Sequence, residues 1–147
     1  LIGINAPEAS EVWSAVMRGE NPLVIGAPED FDRLLSLVAH KQPFIPWPAK
    51  GVLAQHAYDN AAFNDFVFVA LKDDRYVGLE PLLPKIRQPV LIIWGEYDRV
   101  LDVSSIEVMQ PLLPQAEVVI MPDTGHIPMI ERPRETARHY LEFLGGS

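Results

Sequence analysis

The chain has 147 residues, 48% of them hydrophobic and 22% charged, which is enough length and apolar content for one globular domain with a real core. A net charge of −8, from 20 acidic against 12 basic residues, repels phosphate backbones, so no nucleic acid partner is expected. Cysteine is absent, which excludes disulfides, thiolate metal sites and Cys nucleophiles, and the four histidines (His40, His56, His126, His139) show no zinc-ligand spacing, so neither a metal nor another cofactor is expected.

In chain order, residues 7–19 are predicted as a helix, with Pro7 in the first turn, Glu8 and Glu11 at the positive end, Gly19 as the stop, and Val12, Trp13 and Val16 on one stripe. A second helix is predicted over 28–40 from Pro28, Glu29 and Asp30 at its start and the helical spacing of Phe31, Leu34, Leu35 and Val38. Pro43, Pro46 and Pro48 block its continuation, which places Phe44, Ile45 and Trp47 in a stiff loop. Two more helices are expected over 48–58 and 60–72, the latter rich in Phe63, Phe66 and Phe68. No apolar run approaches the ~20 residues of a membrane span. Residues 1–10 lack a basic start followed by an apolar stretch. A targeting segment could lie upstream, so location is left open between cytoplasmic and membrane-associated.

From about residue 85 the texture changes to strand, helix, strand, helix. Residues 90–94 form a continuous apolar run, the pattern of a parallel strand covered on both faces. A helix over 102–113 with Asp102 as N-cap, a strand over 118–121 and a closing helix over 133–144 follow. Strand, crossover helix, strand implies a right-handed parallel pair. The expected fold class is therefore α/β, with residues 1–84 as a helical cap and 85–147 as part of a doubly wound core.

Ligand and catalytic sites in such sheets form beyond the carboxyl ends of the strands. Asp98 lies four residues past Trp94, and His126 five past Met121, so two adjacent loops bring a carboxylate and an imidazole to one edge. A carboxylate on one imidazole nitrogen fixes the tautomer and leaves the other nitrogen to take a proton from a hydroxyl. Either residue alone reads as an ordinary loop residue, but together they read as acid and base. Gly125 is expected to let the chain turn sharply before the base. Asp102 is a rival acid but reads better as a helix cap, and Asp123 as a turn former. Glu131 and Arg132 read as a structural ion pair or cap, and His40, His56 and His139 as structural. No serine has glycines two residues before and after it, so the G-x-S-x-G elbow of a serine nucleophile is not in this chain.

The segments IIWGEYDRVLDVS and MPDTGHIPMIERP resemble the C-terminal part of an α/β-hydrolase, and more narrowly the monoacylglycerol-lipase-type and bacterial lipase/esterase branch, where W-G-x-x-D-x-V-L-D and G-H-x-x-x-x-E-R-P recur. The resemblance covers residues 79–144 well and extends more loosely over 1–78 as a helical cap. It implies a serine ester hydrolase with Asp98 as the acid and His126 as the base, the serine and oxyanion hole coming from an upstream segment or another chain. The chain alone is then expected to be inactive. Lipid-like substrates, small esters or acylglycerols, would pack on Phe44, Ile45, Trp47 and Phe66. The alternative is a non-catalytic lipid- or partner-binding module. Two strands leave an unpaired edge, so a partner is expected, either the missing core segment or a second copy forming a homodimer.

Overall fold

The computed structural model describes residues 3–71 and 78–145. Four helices come first: α1 (Glu11–Met17), α2 (Phe31–Val38), α3 (Ala49–Asp59) and α4 (Ala61–Leu71). The part of the expected fourth helix beyond 71 lies outside the described residues.

The start of α1 differs from the prediction. Ser10, not Pro7, caps the helix: its hydroxyl accepts from the Trp13 amide at 3.0 Å and donates to the Val100 carbonyl at 2.7 Å. A cap that also bonds to a distant loop outcompetes a proline that can only tolerate the first turn. Gly19 ends the segment with φ +85°, which favours glycine. The region predicted as one helix over 28–40 begins as a 3-10 turn, Pro28–Asp30, and ends at Val38. There the Asp30 carboxylate turns back to accept from the Gly26 and Ala27 amides, each at 3.1 Å. Residues 39–48 form the predicted irregular loop.

The C-terminal half carries β1 (Val90–Gly95), α5 (Ser105–Leu112), β2 (Ala116–Met121), the one-turn α6 (Pro128–Glu131) and α7 (Pro133–Gly145). The two strands pair in parallel, Val90 opposite Ala116 through Gly95 opposite Met121, with α5 as the crossover. Asp102 does not cap α5, which starts two residues later than its N-cap role requires. Its carboxylate instead accepts from the Ser104 amide at 2.9 Å and shapes the turn before the helix. The α6 turn was not predicted, because four residues are too few to show a helical period.

Two apolar clusters hold these elements together. Val12, Val16, Leu37 and Phe68 pack with Val100, which joins the helical half to the loop after β1. Leu83, Ile92 and Leu113, with Trp94, Val118 and others, fix the sheet to α5. The chain's own residues do not cover the sheet on both faces as the apolar run of β1 predicts. In β1 only Ile92 and Gly95 are buried, Ile120 in β2 is 50% exposed, and α7 buries none of its residues. Among the described residues no further strand pairs with the other edge of β1.

Candidate active site

The loops after the two strands bring Asp98 and His126 together. Past Gly95 the backbone stays paired with the next loop: the Glu96 amide donates to the Met121 carbonyl at 3.0 Å and the Tyr97 amide to the Thr124 carbonyl at 2.9 Å. This keeps the two loops side by side. The Asp98 side chain is 5% exposed and accepts three hydrogen bonds. One oxygen takes the amides of Val100 at 2.8 Å and Leu101 at 2.9 Å, and the other takes His126 Nδ1 at 2.9 Å. A buried carboxylate without such donors would be costly; here every contact is a donor.

An ionised carboxylate only accepts, so Nδ1 is the donor in this contact, and in the neutral ring this leaves the lone pair on Nε2. The imidazole is 32% exposed and faces a small cavity of about 140 Å³ lined by Ile93, Trp94, Gly95, Asp98, Leu101, His126 and Pro128. No hydrogen bond among the described residues brings a serine hydroxyl, or any other partner, to Nε2. The Ser104 and Ser105 side chains are buried, and Ser104 accepts from the Glu8 amide at 3.1 Å.

Gly125 serves a different purpose from the sharp turn predicted for it. Its φ is not in the left-handed region; instead the backbone of another segment lies against it. A Cβ there would come within 2.6 Å of the His40 nitrogen and 3.0 Å of Glu131 Oε1. Gly95 is a stronger case that sequence reasoning passed over: a Cβ on it would overlap the carbonyl oxygens of Gly125 and Thr124. The residue taking the left-handed conformation is Asp123, at φ 53°, in keeping with its reading as a turn former. Lys41 Nζ lies 3.2 Å from its carboxylate, and this hydrogen bond and charge hold the Asp123 carboxyl below its ordinary range.

The other polar residues fall into place around the pair. Asp102 does not reach His126. His40 stacks on Tyr97 with ring centroids 4.3 Å apart. Trp94 donates its indole N–H to the Leu101 carbonyl at 3.1 Å at the strand end. Glu131 forms no ion pair with its neighbour Arg132; it accepts from two backbone amides, those of Gly125 and Lys41. Only the G-H-x-x-x-x-E spacing hinted at that contact.

Phe44, Ile45, Trp47 and Phe66 are not brought to the His126 cavity. Phe44 and Trp47 are 90% and 89% exposed, and Phe66 lies on the open side of α4 while Phe68 is in the core. Trp47 borders a separate open depression with Phe31, Lys50 and Ala54. Among the described residues no cluster of His, Asp and Glu could hold a metal ion, and no helix is long and apolar enough to cross a membrane.

A parallel strand pair with a hydrogen-bonded carboxylate and imidazole beyond its carboxyl edge is the arrangement of a known fold class, and the family comparison agrees with that class. Residues 53–133, more than half of the chain, match the model of the alpha/beta hydrolase fold, and the chain belongs to that family. Among its relatives is Lipase 3 of Moraxella sp. (strain TA144), 34% identical over 126 residues that cover 86% of this chain and 40% of that lipase. A monoacylglycerol lipase of Xenopus laevis is 36% identical over 84% of this chain and 36% of its own length. The crystal structure of a bacterial membrane phospholipase A superposes with a TM-score of 0.92 at 53% identity, over 98% of this chain and 46% of that one. The chain thus spans about two-fifths of the curated lipases it matches.

Proposed function

We propose that this chain carries the acid and base of a serine hydrolase that cleaves carboxylic esters of lipids, completed by a nucleophile serine and oxyanion hole outside these 147 residues. The observation that supports it most is the 2.9 Å contact between His126 Nδ1 and an Asp98 carboxylate whose other oxygen is held by two amides. The lipase and phospholipase names of its relatives point to the substrate class.

In this reading, His126 Nε2 takes the proton from the serine hydroxyl as its oxygen adds to the ester carbonyl. Asp98 stabilises the imidazolium without itself taking the proton. Collapse of the tetrahedral adduct breaks the ester C–O bond, and the alcohol leaves with the proton from Nε2. Water then attacks the acyl carbon as it gives a proton to Nε2, and collapse of the second adduct breaks the bond to the serine oxygen, which takes the proton back from Nε2 as the acid leaves. Residues 1–84 act as the cap. Phe44, Ile45, Trp47 and Phe66 offer apolar surface for an acyl chain once the remaining core is in place.

The exposed faces of the sheet and α7 support a partner for the chain when it is made alone, either the segment with the missing strands or a second copy. Two measurements test the whole reading. The intact protein is expected to label with a fluorophosphonate probe and to lose labelling when its elbow serine is replaced. The 147-residue chain alone is expected not to label and not to hydrolyse p-nitrophenyl esters. Labelling of Ser10, Ser14, Ser36, Ser104, Ser105 or Ser147 in the short chain sinks the division of labour. An intact protein with no elbow serine speaks for a binding module instead.

A further inference from the structure

Glu131 combines three properties that a solvated surface glutamate lacks. Both of its carboxylate oxygens are engaged, Oε1 by the Gly125 amide at 2.8 Å and Oε2 by the Lys41 amide at 2.9 Å. These amides belong to segments far apart in sequence. Among the described residues no cation is paired with it; Arg132 beside it turns to Glu135 and to the Pro122 carbonyl instead. A carboxylate bonded to two backbone N–H groups forms charge-assisted hydrogen bonds, roughly twice as strong as neutral ones.

The Gly125 amide is the one immediately before the base. The His126 amide in turn donates to the Val38 carbonyl at 2.9 Å, at the end of α2. The backbone on both sides of the Gly125 Cα, immediately before the base, is therefore tied to residues 38–41, once directly through the His126 amide and once through Glu131. Among the described residues the ring itself has a single bond, to Asp98. Gly125 has no room to shift toward its neighbours, because the His40 nitrogen and Glu131 Oε1 already occupy the space of a Cβ.

We infer that Glu131 is a positioning residue for the base: it clamps the His126 loop onto the 39–41 segment and thereby sets where Nε2 lies. This rests on the proposed acid-base chemistry. Without the clamp the loop retains the Val38 bond but can pivot about it, and a displacement of about 1 Å at a reacting group can cost about a hundredfold in rate. Binding of the ester uses other surfaces and is left alone.

The test is steady-state hydrolysis of p-nitrophenyl butyrate by the intact protein carrying Glu131→Ala, Glu131→Gln, His126→Ala, and the Glu131→Ala/His126→Ala pair, with near-ultraviolet circular dichroism on each. Glu131→Ala is expected to lower kcat roughly tenfold to a hundredfold with KM within about twofold. Glu131→Gln keeps one acceptor oxygen and is expected to fall in between. The pair is expected to be no slower than His126→Ala alone, because the clamp acts through the imidazole. An unchanged kcat in Glu131→Ala, while His126→Ala abolishes turnover, overturns the positioning role and leaves the acid-base chemistry standing. A further drop of the residual rate in the pair overturns it too, since that marks a general structural effect. Full activity in His126→Ala removes the premise of both. Should Glu131→Ala lose its fold, Glu131→Gln carries the same comparison.

Discussion

Asp98 and His126 leave the ends of neighbouring parallel strands and meet at 2.9 Å, but the means by which each is held differ. The carboxylate is fixed by its own loop, on the amides of residues two and three positions later. The imidazole is fixed through its backbone, by groups from the other half of the chain: the Val38 carbonyl, and Lys41 through Glu131. Under the proposed chemistry Asp98 stays in place and local bonds suffice to lock it, whereas His126 exchanges protons at a partly exposed ring nitrogen, so its position has to be set from behind. The acid loop in turn anchors the helical half, since Arg99 pairs with Glu11 at 2.6 and 2.9 Å and the Val12 amide donates to the Arg99 carbonyl at 3.1 Å.

The strongest test of this contrast removes one member of the pair in the intact protein. Asp98→Asn is expected to cut turnover by up to about 10⁴, the figure for the corresponding change in a serine protease, where the wrong tautomer is the cause. His126→Ala should do at least as much, with folding nearly intact in both. Asp102→Asn should be mild because its carboxylate only shapes a turn. A severe Asp102→Asn beside a mild Asp98→Asn would reassign the acid.

Gly95→Ala probes what the two loops share. A methyl group there must push apart the carbonyls of Gly125 and Thr124. The expected cost is about 1–3 kcal/mol in chemical denaturation, as for other overpacked sites. Unchanged stability would mean that the loops are less closely apposed than described.

A smaller effect is expected at Arg99, whose guanidinium lies on the exposed side of the acid loop with 44% exposure. Arg99→Ala loses the Glu11 pair and a bond to the Ser36 carbonyl at 2.6 Å. The surface pair itself is worth roughly 0.2–1 kcal/mol. Melting temperature should fall by a few degrees while kcat stays within severalfold, because Asp98 is held locally. A kcat loss comparable to Asp98→Asn would show that the acid, too, is positioned from the helical half.

The smallest effect lies beside the base loop. Lys41 holds the Asp123 carboxyl below its ordinary range in the folded state. The folded value being depressed, this interaction stabilises the fold above the ordinary carboxylate range and is lost as pH falls through the depressed value. In Lys41→Ala a carbon-13 titration of Asp123 should move back up toward an ordinary aspartate. If it does not move, Lys41 is not the cause.

The strand pair and its two loops were legible because each signal is local: an apolar run, a breaker, a polar residue at fixed distance. Residues 90–94 read as a strand that puts Asp98 beyond its end, and residues 118–121 as a second strand that does the same for His126. Features set by contact between distant segments were not legible. Ser10 became the cap of α1 only because Val100 lies within reach of its hydroxyl. Gly95 owes its identity to the carbonyls of Gly125 and Thr124, and Gly125 its own to the His40 backbone and Glu131, and neither has the positive φ that a lone glycine would suggest. The aromatic residues divided by face: Phe68 went to the core while Phe63 and Phe66 stayed outside, which a run of apolar residues all round a helix does not decide.

The open edge of β1 has a consequence for the colloidal behaviour of the short chain. Among the described residues no strand pairs with that edge, and Ile120, Tyr140, Leu141 and Leu144 are exposed elsewhere on the sheet and α7, features that favour association. At neutral pH the net charge of −8 keeps copies apart. Acidification toward the isoelectric point near 4.9 removes that repulsion, so the isolated chain should turn turbid there well before its helices melt, and salt should lower the threshold by screening.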